Sequence, residues 1–273
     1  MNLNLVEKIF NSTNGDVYYW VNKNLSKITL VFLHGLTANH NLFNKQYLFF
    51  LNKYSIIALD LPQHGKSISY RNFSYNNIVE DLKQILFNEN KNKVILIGQS
   101  MGGFIAQSFI RKYGDMVSGF IAIDTCPYGD FYYTKLDILF LKQIKWMLYL
   151  FPHNIYVKLS SKLSTVYEDS YNNMLQMLSI YSKRELYDLL YLGYKEFILE
   201  NYDLEIKCRV CLILGDRDNL GKVKKYMREW SKKENYPLHL VKNASHNSND
   251  DQAEIVNLII DDFISHNNQK IVT

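Results

Sequence analysis

The chain has 273 residues, 47% hydrophobic and 21% charged, with a formal net charge of +4. That is the composition of a soluble globular protein, long enough for one large domain or a domain with an insertion. So small and dispersed a charge gives no footprint for nucleic acid, and no apolar run approaches the roughly 20 residues of a membrane span.

The first segment, MNLNLVEKIFNS, lacks the basic stretch followed by an apolar one that marks a secretory leader, so a cytoplasmic protein is expected. Val6 to Phe10 and Val17 to Val21 read as a hairpin around Asn14-Gly15. Ile28 to Leu33 is the next strand, ending in His34-Gly35-Leu36-Thr37, and Leu42 to Leu51 reads as a helix. Ser55 to Leu59 is a buried strand followed by the turn-rich run Asp60-Leu-Pro-Gln-His-Gly-Lys-Ser67. Ser74 caps a helix to about Asn88 that carries Ile78, Leu82, Ile85 and Leu86 on one face. Val94 to Ile97 and Val117 to Ile123 are further strands, separated by a helix that ends near Ile110.

Alternation then stops. Tyr128 to about Asn201 is tyrosine-rich and reads as all helix, with Leu136, Phe140, Ile144, Met147, Leu148 and Phe151 in one stripe away from Asp137, Lys142, Gln143 and Lys145. Strand and helix resume with Val210 to Leu214, a helix over Val223 to Trp230, the strand Leu238 to Val241 and a helix from Asp251 to Ser265. Near-continuous apolar strands alternating with helices predict a mainly parallel α/β sheet. A helical insertion above the carboxyl ends of such strands would cover a pocket. The expected organisation is core residues 1–127, a helical insertion over 128–201, and core residues 202–273. Cys208-Arg-Val-Cys211 lies at a strand entry, where residues three apart face opposite ways, so buried free thiols are expected rather than a redox pair.

The chemistry concentrates in KVILIGQSMGGFIAQSFIRKY, Lys93 to Tyr113. Gly98-Gln99-Ser100-Met101-Gly102 stands between a strand and a helix, the pattern of a nucleophile elbow. The positions around the serine must be small where strand and helix pass close, and the helix N-terminus favours developing negative charge. A serine hydroxyl needs a base and a third group to orient that base. Of the histidines beyond Ser100, His153 lies in the insertion, His239 inside a strand and His266 at a helix end. That leaves His246, in a loop just after a strand. Asp216, Asp218 and Asp124 all follow strands and remain candidates for the acid. Ser100, Asp218 and His246 share the strand carboxyl ends where ligands collect, in the chain order nucleophile, acid, histidine.

With His34-Gly35, Asp60 to Ser67, Gly98 to Gly103, Gly215-Asp-Arg-Asp218 and the late His246, the chain resembles the α/β-hydrolases. The resemblance implies a mostly parallel eight-stranded sheet flanked by helices, with a helical cap inserted after strand 6. It selects Asp218 over Asp216 as the acid. It also implies an oxyanion hole from the backbone N–H groups of Leu36 and Met101, with His34, Gly35, Gly98 and Gly102 as supporting motif residues. Gln63 stands where the family usually has glycine, which would alter the path of that loop. Gln99 and Met101 differ from the asparagine of the carbon–carbon bond hydrolases and the tryptophan of the proline iminopeptidases. A serine nucleophile argues against the dehalogenase and epoxide hydrolase branches.

The expected activity is cleavage of a small-to-medium carboxylic ester through an acyl-enzyme, on a small-molecule substrate and without metal or cofactor. The same triad would serve a thioesterase, an amidase or peptidase, or a carbon–carbon bond hydrolase, and the fold would serve a receptor without turnover. Lipid contact through the Leu136–Phe151 stripe is disfavoured at this level, because one short helix carries few lysines.

Overall fold

The computed structural model describes residues 5–24 and 26–268, and the side chains of residues 145, 146, 148 and 266–268 are not among those described. Eight strands are β1 (Val6–Ser12), β2 (Gly15–Val21), β3 (Thr29–Leu33), β4 (Ser55–Leu59), β5 (Val94–Gln99), β6 (Val117–Ile123), β7 (Arg209–Gly215) and β8 (Leu238–Val241). They form one sheet in the order β1-β2-β4-β3-β5-β6-β7-β8. The β1–β2 and β2–β4 pairings are antiparallel, and all the others are parallel. TLVFL, SIIAL and VILIGQ are buried along their whole length, because helices cover both faces of a parallel sheet and leave no solvent side.

The helices are α1 (Asn44–Phe50), α2 (Tyr75–Asn88), α3 (Met101–Tyr113), α4 (Lys135–Tyr149), α5 (His153–Ser164), α6 (Glu168–Leu178), α7 (Lys183–Glu200), α8 (Val223–Glu234), α9 (Ser248–Asp251) and α10 (Ala253–Asn268). None among the described residues is long and apolar enough to cross a membrane. As expected, the Ser74 hydroxyl caps α2 by accepting the Asn77 N–H at 3.1 Å. The helix expected from Leu42 opens instead with a 3-10 turn, His40–Phe43, started by the Asn39 side chain accepting the Asn41 N–H. The helix expected from Asp251 begins at Ala253 instead, because Gln252 (φ −130°, ψ 54°) leaves the helical region and separates it from the short α9.

Between β6 and β7 the chain runs through α4 to α7. This segment is anchored through α7: the Tyr75 hydroxyl donates to the Gly193 carbonyl at 3.0 Å, and the Glu196 carboxylate accepts the Tyr75 N–H at 3.2 Å. Phe197 packs on Phe104 and Tyr133 with ring centroids 4.6 and 5.1 Å apart. The stripe expected on α4 is divided: Ile144 packs toward the core beside Ile138 and Leu141, while Leu136 is 75% and Phe140 55% exposed and Phe151 is exposed beyond the helix end. Leu148 and Lys145 fall outside the described side chains. Cys211 is buried as expected, but Cys208 precedes β7 and is only half-buried; neither is paired. Burial pushes their thiols up, to about 12 and about 11.

The tightest of the glycine positions is where α3 crosses β3 and β5. A Cβ on Gly102 would lie 1.9 Å from the Leu33 carbonyl oxygen, and one on Gly98 would lie 2.5 Å from the Gly102 carbonyl oxygen. Both obstacles are backbone, so only glycine lets helix and strands meet there. Gly102→Ala should therefore cost about 3 kcal/mol or more by thermal or urea unfolding. Gly114→Ala, whose Cβ would meet nothing within 4 Å, should stay within about 0.5 kcal/mol of wild type. Equal stability of the two variants would contradict this packing.

Candidate active site

Ser100 lies at the junction of β5 and α3 with φ +51° and ψ −119°, a left-handed conformation that costs a non-glycine residue strain. Its N–H donates to the Ile123 carbonyl at 3.0 Å, and its own carbonyl accepts the Thr125 hydroxyl at 2.6 Å and the Gly103 N–H at 2.9 Å. These bonds over-determine the turn and hold the side chain at the carboxyl end of β5.

His246 follows β8. Its Nε2 lies 2.9 Å from Ser100 Oγ, and its Nδ1 lies 2.9 Å from Asp218 Oδ2. Asp218, beyond β7, is 1% exposed, and its other oxygen accepts the Leu220 N–H at 2.9 Å. With Nδ1–H donated to the carboxylate, Nε2 is left to accept the serine proton. Burial disfavours charge on His246, but the attraction and hydrogen bond of Asp218 outweigh it, with a smaller contribution from Asp124, so its pKa lies above the ordinary histidine value.

The other two acids are otherwise engaged. Asp216 is exposed and accepts the Ala244 N–H at 3.3 Å. Asp124 is fully buried at φ +44°, with Oδ1 accepting the Gly215 N–H at 2.7 Å and Oδ2 the Ser248 N–H at 3.0 Å. Burial, then the neighbouring Asp218 carboxylate, pushes its pKa up to about 8 against the pull of His246 and of hydrogen bonding by Ser248 and Gly215. Asp124 thus ties the strand end before Asp218 to the loop after His246. It makes no hydrogen bond to the histidine ring among the described residues.

His34 is buried beneath the loop that carries Leu36. Its Nδ1–H donates to the Gly35 carbonyl at 2.8 Å, and Nε2 accepts the Leu61 N–H at 2.9 Å. Burial lowers its pKa to about 4, so it stays neutral and acts as a brace. A Cβ on Gly35 would come 3.1 Å from Ser100 Cβ, which puts the start of this loop against Ser100. Met101 opens α3, so its N–H has no partner within the helix. Neither this N–H nor that of Leu36 has a hydrogen-bond partner among the described residues. Asp60 clasps the neighbouring loop: Oδ1 accepts the His40 N–H and faces His40 Nδ1 at 2.7 Å, and Oδ2 accepts the Lys66 N–H. Gln63 takes φ +64°, so the loop still turns through the left-handed region at the position where glycine was expected.

Several residues that hold the site together carry no local signal in the sequence. The Gln99 amide donates to the His246 carbonyl at 2.8 Å, joining the Ser100 turn and the histidine loop. The Ser245 hydroxyl donates to the Leu163 carbonyl at 2.7 Å, and the Asn247 N–H to the Ser164 carbonyl at 2.8 Å. Asp251 accepts the N–H groups of Ser245 and Val166, each at 2.9 Å. The histidine loop is therefore fastened to the end of α5. His153 and His239 are half-buried on α5 and β8, outside this cluster, and the side chain of His266 is not described. No group of three His, Cys, Asp or Glu among the described residues could hold a metal ion.

Similarity to known proteins agrees with this architecture. A pimeloyl-[acyl-carrier protein] methyl ester esterase of Wigglesworthia glossinidia brevipalpis is 31% identical over 110 residues, 40% of this chain and 41% of that protein. A putative esterase/lipase of Haemophilus influenzae is 32% identical over 110 residues, 40% of this chain and 38% of that protein. The chain thus matches about two fifths of the length of these curated relatives. The structure of a thermophilic esterase from Thermogutta terrifontis superposes with a TM-score of 0.77 at 16% identity, covering 96% of this chain and 98% of that one. The profile of the alpha/beta hydrolase fold matches residues 28–179, more than half of the sequence, and the chain belongs to that family.

Proposed function

We propose that the protein is a serine hydrolase that cleaves a small-to-medium carboxylic ester through an acyl-enzyme. The observation that carries this reading is the unbroken hydrogen-bond chain Ser100–His246–Asp218, with both links at 2.9 Å. Esterase-named relatives add support for an ester as substrate. Ser100 Oγ attacks the ester carbonyl while His246 Nε2 takes its proton. The N–H groups of Leu36 and Met101 receive the oxyanion, a stabilisation worth about 2.7–4 kcal/mol per donor in other enzymes. Collapse expels the alcohol, which takes the proton from His246. Water then enters, gives a proton to His246 and attacks the acyl-enzyme, and the acid departs as Ser100 regains its hydrogen. Asp218 holds the productive tautomer and stabilises the imidazolium. The α4–α7 segment serves as a cap on this site, and neither metal nor cofactor takes part. Three unpaired cysteines fit a reducing compartment, so the reading places the enzyme in the cytoplasm.

Hydrolysis of short-chain p-nitrophenyl and methyl esters, set against thioester and anilide analogues, tests the substrate class. The esters should turn over fastest, and a preference for the thioester or anilide would overturn the ester assignment. Within the triad, Asp218→Asn should lower kcat by about 10³–10⁴-fold with little change in KM. Asp216→Asn should cost less than about tenfold, because that side chain only holds loop backbone. Asp124→Asn puts an amide donor against a backbone N–H, so its main loss should be thermal stability. An Asp124→Asn enzyme more crippled in kcat than Asp218→Asn would transfer the acid to β6.

The pH profile follows from the raised pKa of His246. The neutral ring is the base, so kcat/KM should rise with pH and reach half its plateau above about 6.5. Asp218→Asn removes the attraction that favours the imidazolium, so its acid limb should move down as the plateau falls. A limb unmoved by that substitution would sever Asp218 from the titrating group.

A further inference from the structure

α4 and α5 meet at Tyr187 of α7, whose ring lies 5.6 Å from that of Tyr149 and 5.4 Å from that of Tyr156, and both helices leave large apolar side chains exposed. Half of the exposed large hydrophobic side chains among the described residues lie between Phe131 and Tyr167, a small part of the chain. Leu136, Leu139 and Phe140 stand on the solvent side of α4, Leu150 just beyond it, and Leu159 and Leu163 on the solvent side of α5. A groove of about 600 Å³ lined by Ile155, Lys158, Leu159, Lys162 and Tyr167, with the acid Glu168 at its α6 end, continues this surface toward α6. From Lys135 to Leu163 the sequence has five lysines, no arginine and one acid, so this stretch alone carries a charge equal to the chain's +4. The acid, Asp137, is already paired with Lys222. Lys158 and Lys162 are exposed beside Leu159 and Leu163.

We infer that this face docks on an anionic lipid surface. Aliphatic side chains flanked by lysines suit the boundary between headgroups and acyl chains, where the apolar groups enter and the ammonium groups remain among phosphates. Protein interfaces favour arginine and are depleted in lysine, the opposite of what this face carries. Pairing with a second copy would bring the two sets of lysines together. The two helices together supply the area and charge that α4 alone lacks. The inner side of α5 gives the docking a purpose, since the carbonyls of Leu163 and Ser164 hold Ser245 and Asn247 on either side of His246. A lipid-bound α5 would set the candidate site against the bilayer, in reach of esters dissolved there. The docking itself rests on the exposed face and not on the ester reading.

Co-sedimentation of the full chain with vesicles tests it, using phosphatidylcholine alone and phosphatidylcholine mixed with phosphatidylglycerol. The protein should bind the mixed vesicles, bind phosphatidylcholine at least about tenfold more weakly, and be released by salt. Phe140→Glu with Leu159→Glu, and separately Lys158→Glu with Lys162→Glu, should each cut binding by about tenfold or more. All four side chains are exposed, so thermal unfolding should match wild type. Ser100→Ala should bind vesicles as wild type does, which separates this test from the catalytic one. Absence of vesicle binding, or equal binding to both compositions, would overturn the inference. So would a dimer in sedimentation that the Phe140→Glu, Leu159→Glu variant dissociates, because a second copy would then cover the face.

Discussion

The site depends on one strained residue. A serine at φ +51° costs on the order of 1–3 kcal/mol, and it persists only because the surroundings allow nothing else. Gly98 and Gly102 let α3 come against β3 and β5 so closely that a single methyl would strike backbone. Bonds to Ile123 and Thr125 then fix the turn from β6. This geometry lifts the hydroxyl out of the sheet and toward His246, and it frees the Met101 N–H at the helix start. Packing at the crossing, backbone strain and candidate chemistry are therefore one structural fact.

The second constraint is electrostatic. Asp124 and Asp218 are both buried near His246, and burial together with the nearby Asp218 carboxylate raises the cost of ionising Asp124. The fold separates their tasks by hydrogen bonding. Asp124 has both oxygens engaged with backbone N–H groups, whereas Asp218 keeps one oxygen for the imidazole. The first carboxylate orders two loops, and the second is left to orient the ring.

Legibility in the sequence followed the range of the interactions. The elbow could be read from five adjacent residues because its requirements are local. His246 was reached by excluding histidines on helices and strands. Asp218 needed the family resemblance, since three aspartates follow strands and composition does not say which one turns toward the ring. The ties from Gln99 to His246 and from Val166 to Asp251 were invisible, because their partners lie 147 and 85 residues apart in the chain. The packed side of α4 was not legible for a different reason. Ile144 of the stripe packs with Ile138 and Leu141 from outside it, while Leu136 and Phe140 stay exposed, and a helix apolar on both sides does not reveal which side meets the core. Gln63 shows that a left-handed position can survive without glycine when its neighbours hold it, here through the N–H to Ser67 and the side chain to Tyr70.

The central claim is that Ser100, activated by His246, is the nucleophile. Its most direct test is reaction of the folded protein with a fluorophosphonate, followed by peptide mass spectrometry to locate the adduct. The account predicts one adduct per chain, on Ser100, absent from Ser100→Ala and formed far more slowly in a folded His246→Ala variant. An adduct elsewhere, or a folded wild-type protein that does not react, would contradict it.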